Sequence, residues 1–144
     1  MSLQDQLFEE MKQAMKAHDQ LKLDVIRLLR ARIKNVEIDH GEQADADVQK
    51  IVQQMIKQWK DAIVDYKKGN RDDLVEEAEA KVKLLEAYLP AQLSDDELKK
   101  IIEEVKTTTS LDQVGPLIGQ VKQKVGNQAD GRRVAQLVNQ LMSS

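Results

Sequence analysis

"LLEAYLPAQLSDDELKKII", Leu84 to Ile102, decides how this chain is organised. A helical spacing of apolar residues runs into Tyr-Leu-Pro, and a second helical pattern begins almost at once at Ser-Asp-Asp-Glu. Pro90 cannot continue a helix: it lacks an N–H, its ring clashes with the preceding turn, and it biases Leu89 away from helical backbone. Ser94, with Glu97 three residues on, reads as a capping box that starts the next helix. Tyr88, Leu89 and Leu93 surround the proline. An apolar joint of this kind predicts a packed, stiff connection, with two helical units docked in a fixed orientation.

Upstream of the joint, apolar residues recur close to every 3.6 positions. A first helix is expected over residues 3–17, capped by Ser2. A second, over 20–39, carries Leu21, Val25, Leu28, Leu29, Ile33 and Val36, a wide face that predicts the most buried helix. Gly41 breaks the pattern. A third helix over 45–68 has Val48, Val52, Met55, Trp59, Ala62 and Tyr66 at alternating intervals of four and three, the spacing of a packed seam. In "KKGNRDD", Gly69 is expected to take left-handed backbone and Asn70 to cap a fourth helix, with Asp72 and Asp73 in its positive first turn. That helix, carrying Leu74, Ala78, Val82, Leu85 and Leu89, should run to Pro90.

Downstream, Leu98, Ile101, Ile102 and Val105 form one face of a fifth helix, followed by a loop over 107–110. Ser110, like Ser94, reads as a cap ahead of a helix. A sixth helix starts between Asp112 and Pro116 and ends before Gly126. A seventh starts near Asp130 and buries Val134, Leu137, Val138 and Leu141. "GPLIG" sets Gly115 and Gly119 four apart, which suggests close approach to a neighbouring helix. No segment alternates with period two. The fold class is therefore all-α and multihelical, with four helices in residues 1–90 and three shorter ones in 91–144.

Composition narrows the function. Charged residues make up 33% of the 144 positions and aromatic residues only 3%, as in lysine- and glutamate-rich helical proteins. With no cysteine, disulfides, thiolate metal sites and a cysteine nucleophile are excluded. No apolar run reaches the roughly 20 residues that span a bilayer. The acid-bearing start "MSLQDQLFEEMKQAM" resembles neither a signal nor a transit peptide, so a cytoplasmic protein is expected.

Catalytic machinery is hard to assemble. His18 and His40 are the two histidines. Each falls at a helix end, and no metal-ligand spacing links them. Ser2, Ser94 and Ser110 are explained as caps or termini, and Ser143 and Ser144 are terminal. There is no nucleophile elbow, P-loop or dinucleotide fingerprint. The carboxylates of "DDLVEEAEA" read as a solvated face. No catalytic residue, metal or cofactor is assigned.

Charge is unevenly spread. Residues 11–36 hold seven bases against two acids, residues 71–104 eleven acids against five bases, and residues 120–144 four bases against one acid. Arg27, Arg30 and Lys34 lie three and four apart, on one side of the second helix. That stripe is a solvated face, a partner for the acidic fourth helix, or a surface for phosphate.

"MKQAMKAHDQLKLDVIRLLRARIKNVEI", "KKGNRDDLVEEAEAKVKLLEAYLPAQLSDDEL" and "GQVKQKVGNQADGRRVAQLVNQLM" together resemble the YqeY-like, or GatB/YqeY, family over essentially the whole chain. The resemblance implies an all-helical fold divided just after "YLP". It also implies kinship with the C-terminal tail of the B subunit of glutamyl/aspartyl-tRNA amidotransferase, a tail that helps hold tRNA while chemistry occurs in other domains. The family is linked to carbon–nitrogen ligation with glutamine as amide donor. It supplies no catalytic residue that maps onto this chain. The function so implied is a tRNA- or RNA-associated accessory module of an amidating or tRNA-processing complex, with Arg27, Arg30, Lys34, Lys122, Lys124, Arg132 and Arg133 as the RNA-facing cations. The alternative is a protein-interaction module whose helices offer a groove to a partner helix.

Overall fold

The computed structural model describes residues 1–143, so Ser144 lies outside the described residues. Among these, the chain forms seven α-helices and no strand: α1 (Leu3–Lys16), α2 (Gln20–His40), α3 (Asp45–Lys68), α4 (Asp72–Glu86), α5 (Asp95–Thr109), α6 (Val114–Val125) and α7 (Gly131–Met142). A short 3₁₀ turn, Gly126–Gln128, follows α6. The chain divides into two compact units, Met1–Leu89 and Pro90 onward.

In the first unit α1 packs on α2 and α3, and α2 also meets α3 and α4. Their shared core holds Leu7, Ile26, Leu29, Val48, Val52, Met55 and Leu85, each at most 1% exposed. Ser2 caps α1 as expected: its hydroxyl accepts from the Asp5 N–H, and the Asp5 carboxylate accepts from the Ser2 N–H. The N-terminal turns of α1 and α3 are tied together where the Leu3 N–H donates to Asp45 Oδ1 at 2.8 Å.

The buried face of α2 is the expected one only in part: Val25, Leu29 and Ile33 are on it, and Leu28 is not. Leu23, Val25, Ile26, Leu29 and Ile33 are buried, whereas Leu28 is 41% exposed and Leu21 and Val36 are half-buried. Apolar residues surround this helix, so several rotations satisfy a periodic pattern. Only contact with three neighbouring helices selects one. In α3 the inner seam comprises Val48, Ile51, Val52, Met55 and Ile56, and Trp59, Ala62 and Tyr66 are only half-buried.

The turn after α3 also departs by one residue. Gly69 has ordinary negative φ, and Asn70 takes the left-handed conformation at φ 57°. The Asn70 N–H donates to Lys67 O at 3.2 Å and the Arg71 N–H to Tyr66 O at 2.9 Å, which closes a Schellman motif with Asn70 at its left-handed position. Arg71, not Asn70, therefore precedes α4. His18 does the same after α1 at φ 56°: its N–H donates to Met15 O, and the Asp19 N–H to Ala14 O. At its far end α4 stops at Glu86, four residues before Pro90, and Tyr88 and Leu89 donate to Leu85 and Glu86 in tight i→i+3 bonds. Tyr88 is buried, and Leu74 and Leu89 are half-buried.

The second unit is a three-helix cluster around Leu98, Ile102, Leu117, Val121, Val134 and Val138. Ser94 and Glu97 form the reciprocal capping box anticipated for α5. Residues 107–109 are helical rather than a loop, and the Thr109 hydroxyl bonds back to Val105 O at 2.6 Å within this last turn, as a mid-helix threonine can. Ser110 then takes left-handed backbone and ends α5, so it is a C-terminal and not an N-terminal cap. The close approach expected at "GPLIG" is not made: a Cβ at Gly115 or Gly119 would meet nothing within 4 Å. Asp130 caps α7 by accepting from the Arg133 N–H at 2.9 Å.

Candidate nucleic-acid interface

The three cations of the α2 stripe share one structure. Arg27, Arg30 and Lys34, with Gln4, Leu7, Ala31, Ile33 and Glu37, line an open cleft of about 290 Å³ between α1 and α2. The i, i+3, i+7 spacing turns all three toward the same groove, and the small Ala31 leaves room between them. None pairs with the acidic α4, two of whose acids are paired locally: Glu77 meets Lys81 at 3.2 Å and Asp73 meets Arg71 at 3.1 Å. Among the described residues Arg27 and Lys34 have no ion-pair partner. Glu37, the one carboxylate in the cleft, accepts from the Gln43 N–H at 3.1 Å and from the Gln4 amide at 3.2 Å.

Arg30 is the best held of the three. Its Nη1 lies 3.1 Å from Met11 Sδ, and its guanidinium carbon 5.0 Å from the centre of the Phe8 ring. Lys12 Nζ lies 4.7 Å from the same ring. Cations at this distance are attracted by the ring's quadrupole. Neither Phe8 nor Met11 was singled out in the sequence. The signal for Phe8 is the phase of α1, in which it falls outside the buried stripe of Leu3, Leu7 and Ala14, whereas Met11 packs partly against the core.

The C-terminal cations are placed differently. Arg133 donates from Nε to Asp95 Oδ1 at 2.9 Å and from Nη2 to Leu93 O, so it fastens the start of α5 to α7. Lys124 pairs with Glu104 at 3.2 Å. The side chain of Lys122 lies across Gly131, where a Cβ would come within 2.8 Å of Lys122 Cε. Arg132 is also engaged. Of these four bases, Arg133 and Lys124 meet partners on α5 and Lys122 lies against the start of α7.

Away from the cleft, burial first, then the negative charge of Glu10 and hydrogen bonding with it, raise the Tyr88 phenol well above the usual tyrosine range. Glu10 Oε2 is buried without a partner of good hydrogen-bond geometry, while Lys22 approaches Oε1 at 3.8 Å. His18 and His40 are exposed and stand at helix ends. Among the described residues no group of three or more histidines and carboxylates is arranged to hold a metal ion.

A family model described as Yqey-like protein matches residues 4–142, nearly the full chain. The chain belongs to the YqeY-like family. Its relatives include proteins named altered inheritance of mitochondria protein 41, mitochondrial. That of Vanderwaltozyma polyspora is 36% identical over 108 residues, covering 69% of this chain and 58% of the relative. The Kluyveromyces lactis protein is 34% identical over 125 residues, 83% of this chain and 65% of the relative. The Clavispora lusitaniae protein is 29% identical over 118 residues, 78% and 69% respectively. The match to the first of these thus spans less than two thirds of the relative's own length.

These names correct the expectation of a cytoplasmic protein, since the curated relatives are mitochondrial. That expectation rested on the acidic, amphipathic start of the chain. In the structure Leu3 and Leu7 of that stretch are buried core residues, so its composition reports packing and not an address.

Proposed function

We propose that this YqeY-like chain is a non-catalytic RNA-associated module that holds the phosphate backbone of tRNA in the α1/α2 cleft. The observation that carries the reading is the convergence of Arg27, Arg30 and Lys34 on one groove, with Arg27 and Lys34 unpaired by any carboxylate among the described residues. Guanidinium groups suit phosphate oxygens because their planar N–H forks donate in pairs. The resemblance to the tail of the amidotransferase B subunit supports reading the chain as an accessory of glutamine-dependent amidation, one that positions RNA for another protein's active site.

The test is tRNA binding measured across a salt series. Phosphate contacts release counterions, so affinity should fall steeply as salt rises. Reversing Arg27, Arg30 and Lys34 to Glu should weaken binding and reduce the slope of log affinity against log salt by roughly two to three. Neutralising Glu76, Glu77 and Glu79 should change neither. Absence of salt-sensitive binding at low ionic strength, or charge reversals without effect, would overturn the proposal in favour of a protein-interaction module.

A further inference from the structure

Phe8 stands on the exposed side of α1, at the rim of the cationic cleft. It is 43% exposed and takes no part in the core of the first unit. Arg30 belongs to both features: it lines the cleft and lies 5.0 Å from the centre of the Phe8 ring. Lys12, half exposed and paired with Glu9 at 2.9 Å, sits 4.7 Å from that ring. A partly exposed aromatic ring flanked by two cations therefore adjoins the cationic cleft, with Arg30 shared between them.

We infer that Phe8 stacks an unpaired base of the same RNA whose phosphates the cleft holds, so that the preferred ligand is single-stranded rather than duplex. This inference rests on the phosphate-binding reading above. In duplex RNA the base faces are stacked on one another, and a side chain on a convex helix surface meets only backbone and groove. In a single strand they are free, and any base presents a π-face, so stacking on Phe8 favours single strands without demanding a sequence. Phosphates flanking the stacked nucleotide fall to Arg27, Arg30 and Lys34. The Lys12 stem is long and flexible, and it can leave the ring for a phosphate when a base arrives.

The experiment compares a labelled RNA single strand of about 12 nucleotides, within the span of such sites, with the duplex of the same sequence. Phe8→Ala, Phe8→Leu and Phe8→Tyr are each measured by fluorescence anisotropy over a salt series. Wild type should bind the single strand more tightly than the duplex. Phe8→Ala and Phe8→Leu should each lose roughly tenfold on the single strand, with the salt slope and the duplex affinity unchanged, and Phe8→Tyr should retain wild-type binding. Equal or tighter binding to duplex, or a Phe8→Ala protein that binds single strands as wild type does, would overturn the stacking and leave the phosphate reading standing. A Phe8→Leu protein that keeps full affinity would also overturn it, since leucine supplies apolar area but no π-face. Binding to neither RNA, or binding indifferent to salt, would remove the phosphate reading and the stacking with it.

Discussion

Arg133 on α7 holds the main chain of Leu93, forty positions earlier, by donating from Nη2 to the Leu93 carbonyl while its Nε meets Asp95 Oδ1 at 2.9 Å. The Leu93 N–H is also fixed, to Gln128 O at 2.9 Å, and the Gln92 amide reaches Asn127 O at 3.0 Å. The residues that follow Pro90 are thus anchored through both polar groups of Leu93, the N–H to the turn before α7 and the carbonyl to Arg133 on α7. Arg133→Ala should destabilise the chain by about 1.5–3 kcal/mol, the usual range for a hydrogen bond to a charged group. Arg133→Lys should recover only part of this, because an ammonium cannot reproduce the planar two-pronged contact. Amide exchange at Leu93 checks the assignment: it should quicken in Arg133→Ala, and unchanged protection would show that Gln128 alone holds the segment.

Ser94→Ala should cost about 1 kcal/mol and leave RNA affinity unaltered, because Ser94 serves α5 as a cap. The same change tests an electrostatic consequence. The Ser94 side chain, then its backbone N–H, hold the Glu97 carboxyl below the ordinary glutamate value. A depressed carboxyl adds stability that is present above the unfolded-state value and is lost as pH falls through the folded one. In Ser94→Ala the Glu97 titration, followed by carbon NMR, should move up toward the ordinary range. Titration at the wild-type position would contradict the capping box as its main cause.

The helices were legible because their periodic apolar residues and capping chemistry are local. Ser2, Ser94 and Asp130 act within three residues of themselves, and each stands where the sequence puts it. The errors were nonlocal or conformational. Rotation of α2 depends on three neighbours, so Leu28 could not be told from Leu23 by spacing. At Gly69-Asn70 two residues were able to accept left-handed backbone, and glycine is the usual choice, yet the Schellman bonds from Asn70 and Arg71 place the turn one residue later.

Two of the three left-handed positions held by residues other than glycine among the described residues give a third prediction. His18 at φ 56° and Asn70 at φ 57° both occupy Schellman motifs. A Cβ is disfavoured there, more for histidine than for asparagine, whose side chain tolerates the conformation. His18→Gly should raise stability by about 0.5–1 kcal/mol after allowing for the greater freedom of glycine in the unfolded chain. Asn70→Gly should gain less. Denaturant midpoints measure both, and a larger gain at Asn70 would reverse the argument.

The placement of the cations was legible only in part, for a related reason. Charge spacing on a single helix put Arg27, Arg30 and Lys34 on one face, and they line one cleft, because the geometry that gathers them belongs to α2 itself. The same charge reasoning grouped Lys122, Lys124, Arg132 and Arg133, but Arg133 finds its partners at Leu93 and Asp95 and Lys124 finds Glu104, contacts that cross between helices. Phe8 was hidden because one exposed aromatic residue among many charges carries no pattern until α2 brings Arg30 beside it.

Tyr88, two residues before Pro90, links the stability of the chain to alkaline pH. It is 5% exposed, and burial with the adjacent Glu10 carboxylate keeps its phenol protonated well above the ordinary value. Above the ordinary tyrosine value of about 10, an unfolded chain releases this proton while the folded chain keeps it. The stability linked to Tyr88 is therefore fully present below that pH and falls as pH rises toward the raised folded value. Wild type should lose stability across this alkaline window, and Tyr88→Phe should lose distinctly less across the same window. Glu10→Gln separates the causes: it removes the negative charge but leaves the burial. The phenol should then titrate lower than in wild type yet remain above the ordinary value, because burial is the larger effect. Spectrophotometric titration in a Tyr66→Phe background isolates Tyr88, since these are the two tyrosines of the chain. A Tyr88 phenol that titrates near the ordinary value in the folded protein would show that water reaches it and that the end of α4 is more open than its packing implies.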